Sequence, residues 1–243
     1  MFRPQFGDFA GDGRADLVSG SNCCRSDMVH LFLRKKDGSF AARQDVRFKL
    51  PGPDHGLLGF ARAVTNPHLL DWDGDGHTDL VVGHTEGWAE GIWTLYVCAG
   101  PLAGKTELTA KDFALPKVPD AEPVYFGFAD WDGDGRFDLL VALRCQKGSD
   151  AVRGDPLKRT DEPVSYAIYW FRNTAAKGEP KFAAARRLLT IPAPWELNGF
   201  SVVDRGQGGR LDLVVSVSKN LRPNPKDGYF SVDSQLWLYR RKG

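Results

Sequence analysis

The hexapeptide Asp-Trp-Asp-Gly-Asp-Gly stands at 71–76 and again at 130–135, each time followed two residues later by Asp-Leu and an aliphatic run. Counted from the first aspartate, carboxylates fall at positions 1, 3, 5 and 9, with glycine at 4 and 6. Four carboxylates within nine residues repel one another unless a cation compensates them. Calcium takes six to eight oxygen ligands at about 2.3–2.6 Å and accepts carboxylates carried on a tightly curved backbone. Alternation at positions 1, 3 and 5 points three of them toward one centre, the glycine at 6 permits the turn, and the carbonyl at 7 supplies a further oxygen. The ligand sets read in this way are Asp71, Asp73, Asp75 and Asp79 with the His77 carbonyl, and Asp130, Asp132, Asp134 and Asp138 with the Arg136 carbonyl. Magnesium suits the pattern less well, because it retains water and demands stricter octahedral geometry. A metal-free turn of Asp and Gly residues is the alternative.

Other chemistries fit less well. A helical calcium switch closes its loop with Glu at position 12, whereas position 12 is Val82 in one copy and Val141 in the other, inside apolar runs. Paired carboxylates also serve glycoside hydrolysis, but a quartet that recurs in separate segments suits architecture better than one active site. The five histidines, His30, His55, His68, His77 and His84, show no H-E-x-x-H spacing. No G-x-S-x-G elbow, phosphate-binding loop or dinucleotide fingerprint occurs, so no catalytic residue is assigned and no enzyme is expected. The formal charge of +1, from 32 basic and 31 acidic side chains, offers no field for nucleic acid or an anionic membrane. No run approaches the roughly 20 apolar residues of a membrane span, and Met1-Phe2-Arg3-Pro4 leads into a Gly/Asp motif rather than a basic and then apolar leader.

The elements that must carry these loops emerge from their weaker copies. Asp8-Phe-Ala-Gly-Asp-Gly-Arg-Ala-Asp-Leu and Asp204-Arg-Gly-Gln-Gly-Gly-Arg-Leu-Asp-Leu align with the two strong ones. The four first aspartates stand about 60 to 75 residues apart, the length of one propeller blade. In the first copy Asp8, Asp12, Asp16 and the Arg14 carbonyl remain but Ala10 removes the ligand at position 3; in the fourth only Asp204 and Asp212 remain, and no calcium is expected there. After each loop comes an apolar run ("DLVSGS", "DLVVGH", "DLLVAL", "DLVVSVS"), a variable stretch, then an aromatic alternating run ("VHLFLRK", "GIWTLYV", "AIYWFRN", "QLWLYRR"). Each repeat therefore reads as a four-stranded antiparallel meander whose first hairpin is the acidic loop. One such sheet cannot bury both faces, and radial packing of several leaves only short edges. The expected fold is an all-β propeller of four blades in one domain over 1–243, with blades near 1–52, 53–116, 117–192 and 193–243. The fourth blade ends on its third strand, so either four blades close without an outer strand there or the chain belongs to a longer propeller; closure is the expectation.

"FGDFAGDGRADL" at 6–17 and "FADWDGDGRFDL" at 128–139 resemble the FG-GAP or VCBS repeats of integrin alpha chains and of many bacterial secreted proteins. The resemblance implies two or three structural calcium ions, an extracellular setting, and a recognition or adhesion role. It also implies that a protein or glycan ligand engages the face opposite the calcium loops. That face would be built by 20–28, 84–91, 144–165 and 218–234 with the connectors 51–66, 114–123 and 191–198. Trp88, Trp195 and Tyr229 are its candidate ligand contacts, which leaves a lectin-like module as the first alternative and a polysaccharide-active or other enzyme domain as the second. Trp72 and Trp131, at position 2 of their loops, are expected to pack between blades. Four cysteines lack zinc spacing; Cys23 and Cys24 form a strained vicinal disulfide, one of them pairs with Cys145 if the blades bring them together, or the thiols stay free, and Cys98 is expected unpaired.

Overall fold

The computed structural model describes residues 4–20, 28–49, 63–85, 94–145, 164–204, 206, 211–220 and 232–241. Among them there is no helix, so none is long and apolar enough to cross a membrane. They form two compact units, residues 1–117 with 175–181, and residues 118–174 with 182–243.

The first unit holds two sheets. One contains β1 (Pro4–Gly7), β2 (Asp16–Gly20), β3 (Met28–Phe32) and β4 (Gln44–Lys49) in antiparallel sequence order. The other contains β5 (Ala63–Leu70), β6 (Asp79–Thr85), β7 (Thr94–Cys98) and β9 (Lys111–Ala114). A short β8 (Glu107–Thr109) leaves the β7–β9 connection to lie parallel to β4, which makes the first sheet five-stranded instead of four. Its Leu108 is 2% exposed between two exposed neighbours, so a single apolar side chain anchors it while its backbone covers an open sheet edge.

The second unit has the same plan. β10 (Ala121–Ala129), β11 (Asp138–Cys145), β12 (Ser165–Phe171) and β13 (Arg186–Ile191) form one meander. β14 (Glu196–Asp204), β15 (Leu211–Asn220) and β16 (Val232–Tyr239) form a three-stranded sheet. The sheets are propeller blades, two to each unit.

Burial explains the strand patterns. In β11 every residue of the run Leu139–Leu143 is buried, and it reads as an unbroken apolar run. The fourth strand β4 alternates instead, Val46 and Phe48 inward and the charged residues outward. Val18, Leu31, Leu80, Val82 and Cys98 join in the core shared by the first unit's two sheets, and Leu140, Ile168, Phe200, Leu213 and Val215 in that of the second.

All four blades keep one register around the acidic loop. The residue before position 1 pairs with position 9: Gly7 with Asp16, Leu70 with Asp79, Ala129 with Asp138, Val203 with Asp212. Position 10 pairs with the last residue of the third strand: Leu17 with Phe32, Leu80 with Cys98, Leu139 with Phe171, Leu213 with Tyr239. The turn after each third strand is thereby brought beside the acidic loop.

Candidate functional site: the acidic hairpin loops

The loops are held by their own carboxylates. At position 1, Asp71 Oδ1 accepts the amides of Gly74 and Asp75 at 2.8 and 3.1 Å, and Oδ2 that of Gly76 at 3.0 Å. Asp130 repeats this with Gly133, Asp134 and Gly135 at 2.8 to 2.9 Å. At position 5 the carboxylate accepts the amide of position 7: Arg14 to Asp12, His77 to Asp75, Arg136 to Asp134, at 3.1, 2.8 and 3.0 Å. Positions 4 and 6 are left-handed in all three loops, with φ from 69° to 89°, a region where only glycine sits without strain.

Position 9 has a role that its place in the sequence does not reveal. Asp79 is 1% exposed and accepts the Trp72 amide at 2.7 Å and the Gly100 amide at 2.6 Å. Asp138 accepts Trp131 at 3.1 Å and Asn173 at 2.8 Å, and Asp16 accepts Ala10 at 3.0 Å and Arg34 at 2.7 Å. In the fourth blade Asp212 accepts the amide of Arg241 at 3.1 Å. In every blade one donor is the second residue past the third strand. The position-9 aspartate thus staples that turn to the acidic hairpin, which accounts for its presence in the fourth loop, where positions 3 and 5 are glycine. Burial pushes the carboxyls of Asp79 and Asp138 above the ordinary range against the pull of these amides.

Two clusters are able to hold a metal ion. Asp71, Asp73 and Asp79 each place a carboxylate oxygen within 4.8 Å of the others, and Asp130, Asp132 and Asp138 do the same. The structure therefore brings together positions 1, 3 and 9, while Asp75 and Asp134 at position 5 are engaged with position 7. Asp8, Asp12 and Asp16 do not form such a group among the described residues. Asp8 accepts the amides of Asp12 and Gly13, at 3.0 and 2.8 Å, and Asp12 is ion-paired to Arg14. In the fourth loop Asp204 accepts the Gly206 amide, at 2.8 Å.

Guanidinium groups enter some loops. Arg14 pairs with Asp12 and donates to the Arg34 carbonyl; Arg136 likewise pairs with Asp134 and donates to the Asn173 carbonyl. The third loop carries one more, Arg172, whose Nε lies 2.6 Å from Asp132 and Nη2 3.0 Å from Asp134. Desolvation works to raise the Asp134 pKa, but Arg172 and Arg136 outweigh it and leave that carboxyl below the ordinary range. Nothing in the motif foretold Arg172, 38 residues from Asp134 in sequence.

Trp72 and Trp131 are 5% and 2% exposed. Trp72 packs edge-on to Phe113 at 5.1 Å, and Trp131 lies in the second unit's core with the Arg241 guanidinium 5.7 Å from its ring. Of the candidate ligand contacts, half-buried Trp195 lies edge-on to Trp237 at 5.5 Å, with the Lys219 ammonium 4.7 Å from its ring centre. Trp88 and Tyr229 lie outside the described residues, as do Cys23, Cys24 and most of 20–28, 84–91, 144–165 and 218–234. Cys98 and Cys145 are free thiols.

Four blade sheets, each opened by the same hairpin frame and two of them carrying a full carboxylate cluster, define a repeat protein of the propeller class. The family model for FG-GAP-like repeats matches residues 8–82 and 71–141, more than half of the chain, and the chain belongs to that family. Each match runs from one acidic loop into the strand after the next, and neither reaches the fourth loop. No curated protein matches the chain.

Proposed function

We propose that this chain is a calcium-stiffened FG-GAP propeller module that recognises a macromolecular partner outside the cell and catalyses no reaction. The observation that carries the reading is the pair of three-carboxylate groups at equivalent places in two blades, Asp71/Asp73/Asp79 and Asp130/Asp132/Asp138. Oxygens on opposite sides of a calcium ion stand about 4.6–5.2 Å apart at its usual bond lengths, which accommodates the 4.8 Å limit within which these oxygens fall. A carboxylate that accepts one amide per oxygen still has lone pairs to give a metal. Asp132 Oδ1 is buried and accepts no hydrogen bond, and its lone pairs are ones that calcium would satisfy. The charge-only oxygen set also suits a hard cation better than zinc or copper, which favour nitrogen and sulfur.

In this reading calcium locks the hairpin ends of the blades, and the partner binds at their opposite ends. The extracellular setting and the adhesion role come from the family resemblance. Calorimetric titration with calcium, paired with melting in EGTA, tests the metal: saturable binding and a higher Tm support it, and an unchanged Tm without heat defeats it. For the partner, a glycan array is the sharper probe. Binding that disappears in Trp195→Ala would replace protein recognition with a lectin function.

A further inference from the structure

We propose that Arg172 is a tethered counter-cation that competes with the divalent ion at the third acidic loop, so that the two Asp-Trp-Asp-Gly-Asp-Gly loops load in order, the second loop first. This ordering rests on the calcium reading above. Arg172 directly follows β12, and its backbone is fixed: its carbonyl accepts the Ala183 amide at 2.8 Å, and the next residue, Asn173, is bridged to Phe182 and gripped by Asp138 at 2.8 Å. From that anchor the fork reaches two carboxylates at once, Asp132 at 2.6 Å and Asp134 at 3.0 Å. Asp132 belongs to the three-carboxylate group. The guanidinium thus neutralises one carboxylate of the cluster, through Asp132 Oδ2, and holds position 5 as well, counter-charge that an incoming ion must displace.

The geometry makes the arm displaceable. The side chains of Asp132 and Asp134 are 16% and 18% exposed, but that of Arg172 is 48% exposed. The guanidinium can swing into water while the carboxylates stay behind for the metal. Among the described residues the second loop has no such paired competitor. The residue after its third strand is Ala99, position 7 is His77, and no Lys or Arg pairs with Asp71, Asp73, Asp75 or Asp79 among the described residues. The first blade has Leu33 at the place of Arg172. The fourth has Arg240 there but lacks the carboxylates at positions 3 and 5.

The test is calcium calorimetry on the full chain stripped of metal, for wild type, Arg172→Ala and Arg172→Gln, with Asp73→Ala and Asp132→Ala to assign the sites. Far-UV circular dichroism and a cooperative melt establish that each variant is folded, and the glutamine variant, which keeps the stem's packing, stands in should the alanine one fail. The expected result is two classes of site about tenfold or more apart, equivalent to about 1.4 kcal/mol. The tight class is lost in Asp73→Ala and the weak class in Asp132→Ala. Removing the guanidinium tightens the weak class by about tenfold and leaves the tight one unchanged. If both classes stay within twofold of wild type in Arg172→Ala and Arg172→Gln, or if the weak class maps to the second loop, the competition is refuted while the calcium reading stands. If neither wild type nor the variants bind calcium, both fall.

Discussion

The loops at 71–79 and 130–138 differ in two of nine residues, His77 against Arg136 and Thr78 against Phe137, and share every carboxylate. Their hydrogen-bond frames superimpose donor for donor at positions 1, 5 and 9. Their counter-charges do not match. The third loop holds two guanidiniums against its four carboxylates and the second holds none among the described residues. What separates them lies mostly outside the motif, in the turn after the third strand, where Arg172 faces Ala99 as its counterpart. An acidic motif thus states which carboxylates are present and leaves open how far neighbouring side chains already offset their charge.

The largest effects should fall on what the two loops share. Asp79→Ala and Asp138→Ala each strand two backbone amides, one of them from the turn 21 or 35 residues away. Leaving a buried donor unsatisfied costs about 1–3 kcal/mol, so each variant should lose about 2–5 kcal/mol by urea denaturation in EGTA, less whatever is recovered by no longer burying an ionised carboxyl. Near-equal losses without calcium would show that position 9 is a structural staple first. A loss seen only in the presence of calcium would make it a ligand and nothing more.

The next effect separates the loops. A ligand at about a hundred times its dissociation constant stabilises by about 2.7 kcal/mol. Asp73→Ala should remove most of the Tm gained on adding calcium, and Asp132→Ala a smaller share, because the third loop is already partly neutralised by Arg172. Equal losses at modest calcium concentration would erase the contrast. Smaller again, and once more symmetric, is Gly76→Ala against Gly135→Ala. With φ at 89° and 85° and open space around each added methyl, both report backbone strain alone, about 1–2 kcal/mol.

Much of this was legible in the sequence. The spacing of Asp8, Asp71, Asp130 and Asp204 marked the blades, and the Asp-Leu-aliphatic continuation showed that each loop opens onto a strand. The loss of positions 3 and 5 separated the fourth loop from the rest. What stayed hidden depends on chain returns of 18 to 35 residues: the amides of Arg34, Gly100, Asn173 and Arg241 that position 9 accepts. Asp79 and Asp138 read as metal ligands and stand in the two carboxylate groups, but their stapling role stayed hidden because a carboxylate has the same letter whichever partner it takes. β8 was equally invisible. Three residues with one inward Leu108 carry no periodicity, and only the free edge of β4 makes them a strand.

The comparison extends to the thiols of the same two sheets, where the expected change in stability is smallest and the contrast in chemistry is large. Cys98 ends β7 beside the second loop, 1% exposed, and burial pushes its thiol up to about 12. Because the thiolate is the nucleophile, Cys98 should react slowly at pH 8. Cys145, at the far end of β11, is half-buried, and burial raises its thiol as well. Iodoacetamide at pH 8 followed by peptide mapping should therefore label Cys145 well before Cys98, and urea should bring the two to similar rates. Calcium should slow Cys98 further, because the Gly100 amide two residues on is held by Asp79, a member of the cluster that the ion would tighten. Labelling of native Cys98 as fast as Cys145 would mean that the end of β7, beside the second loop, opens readily.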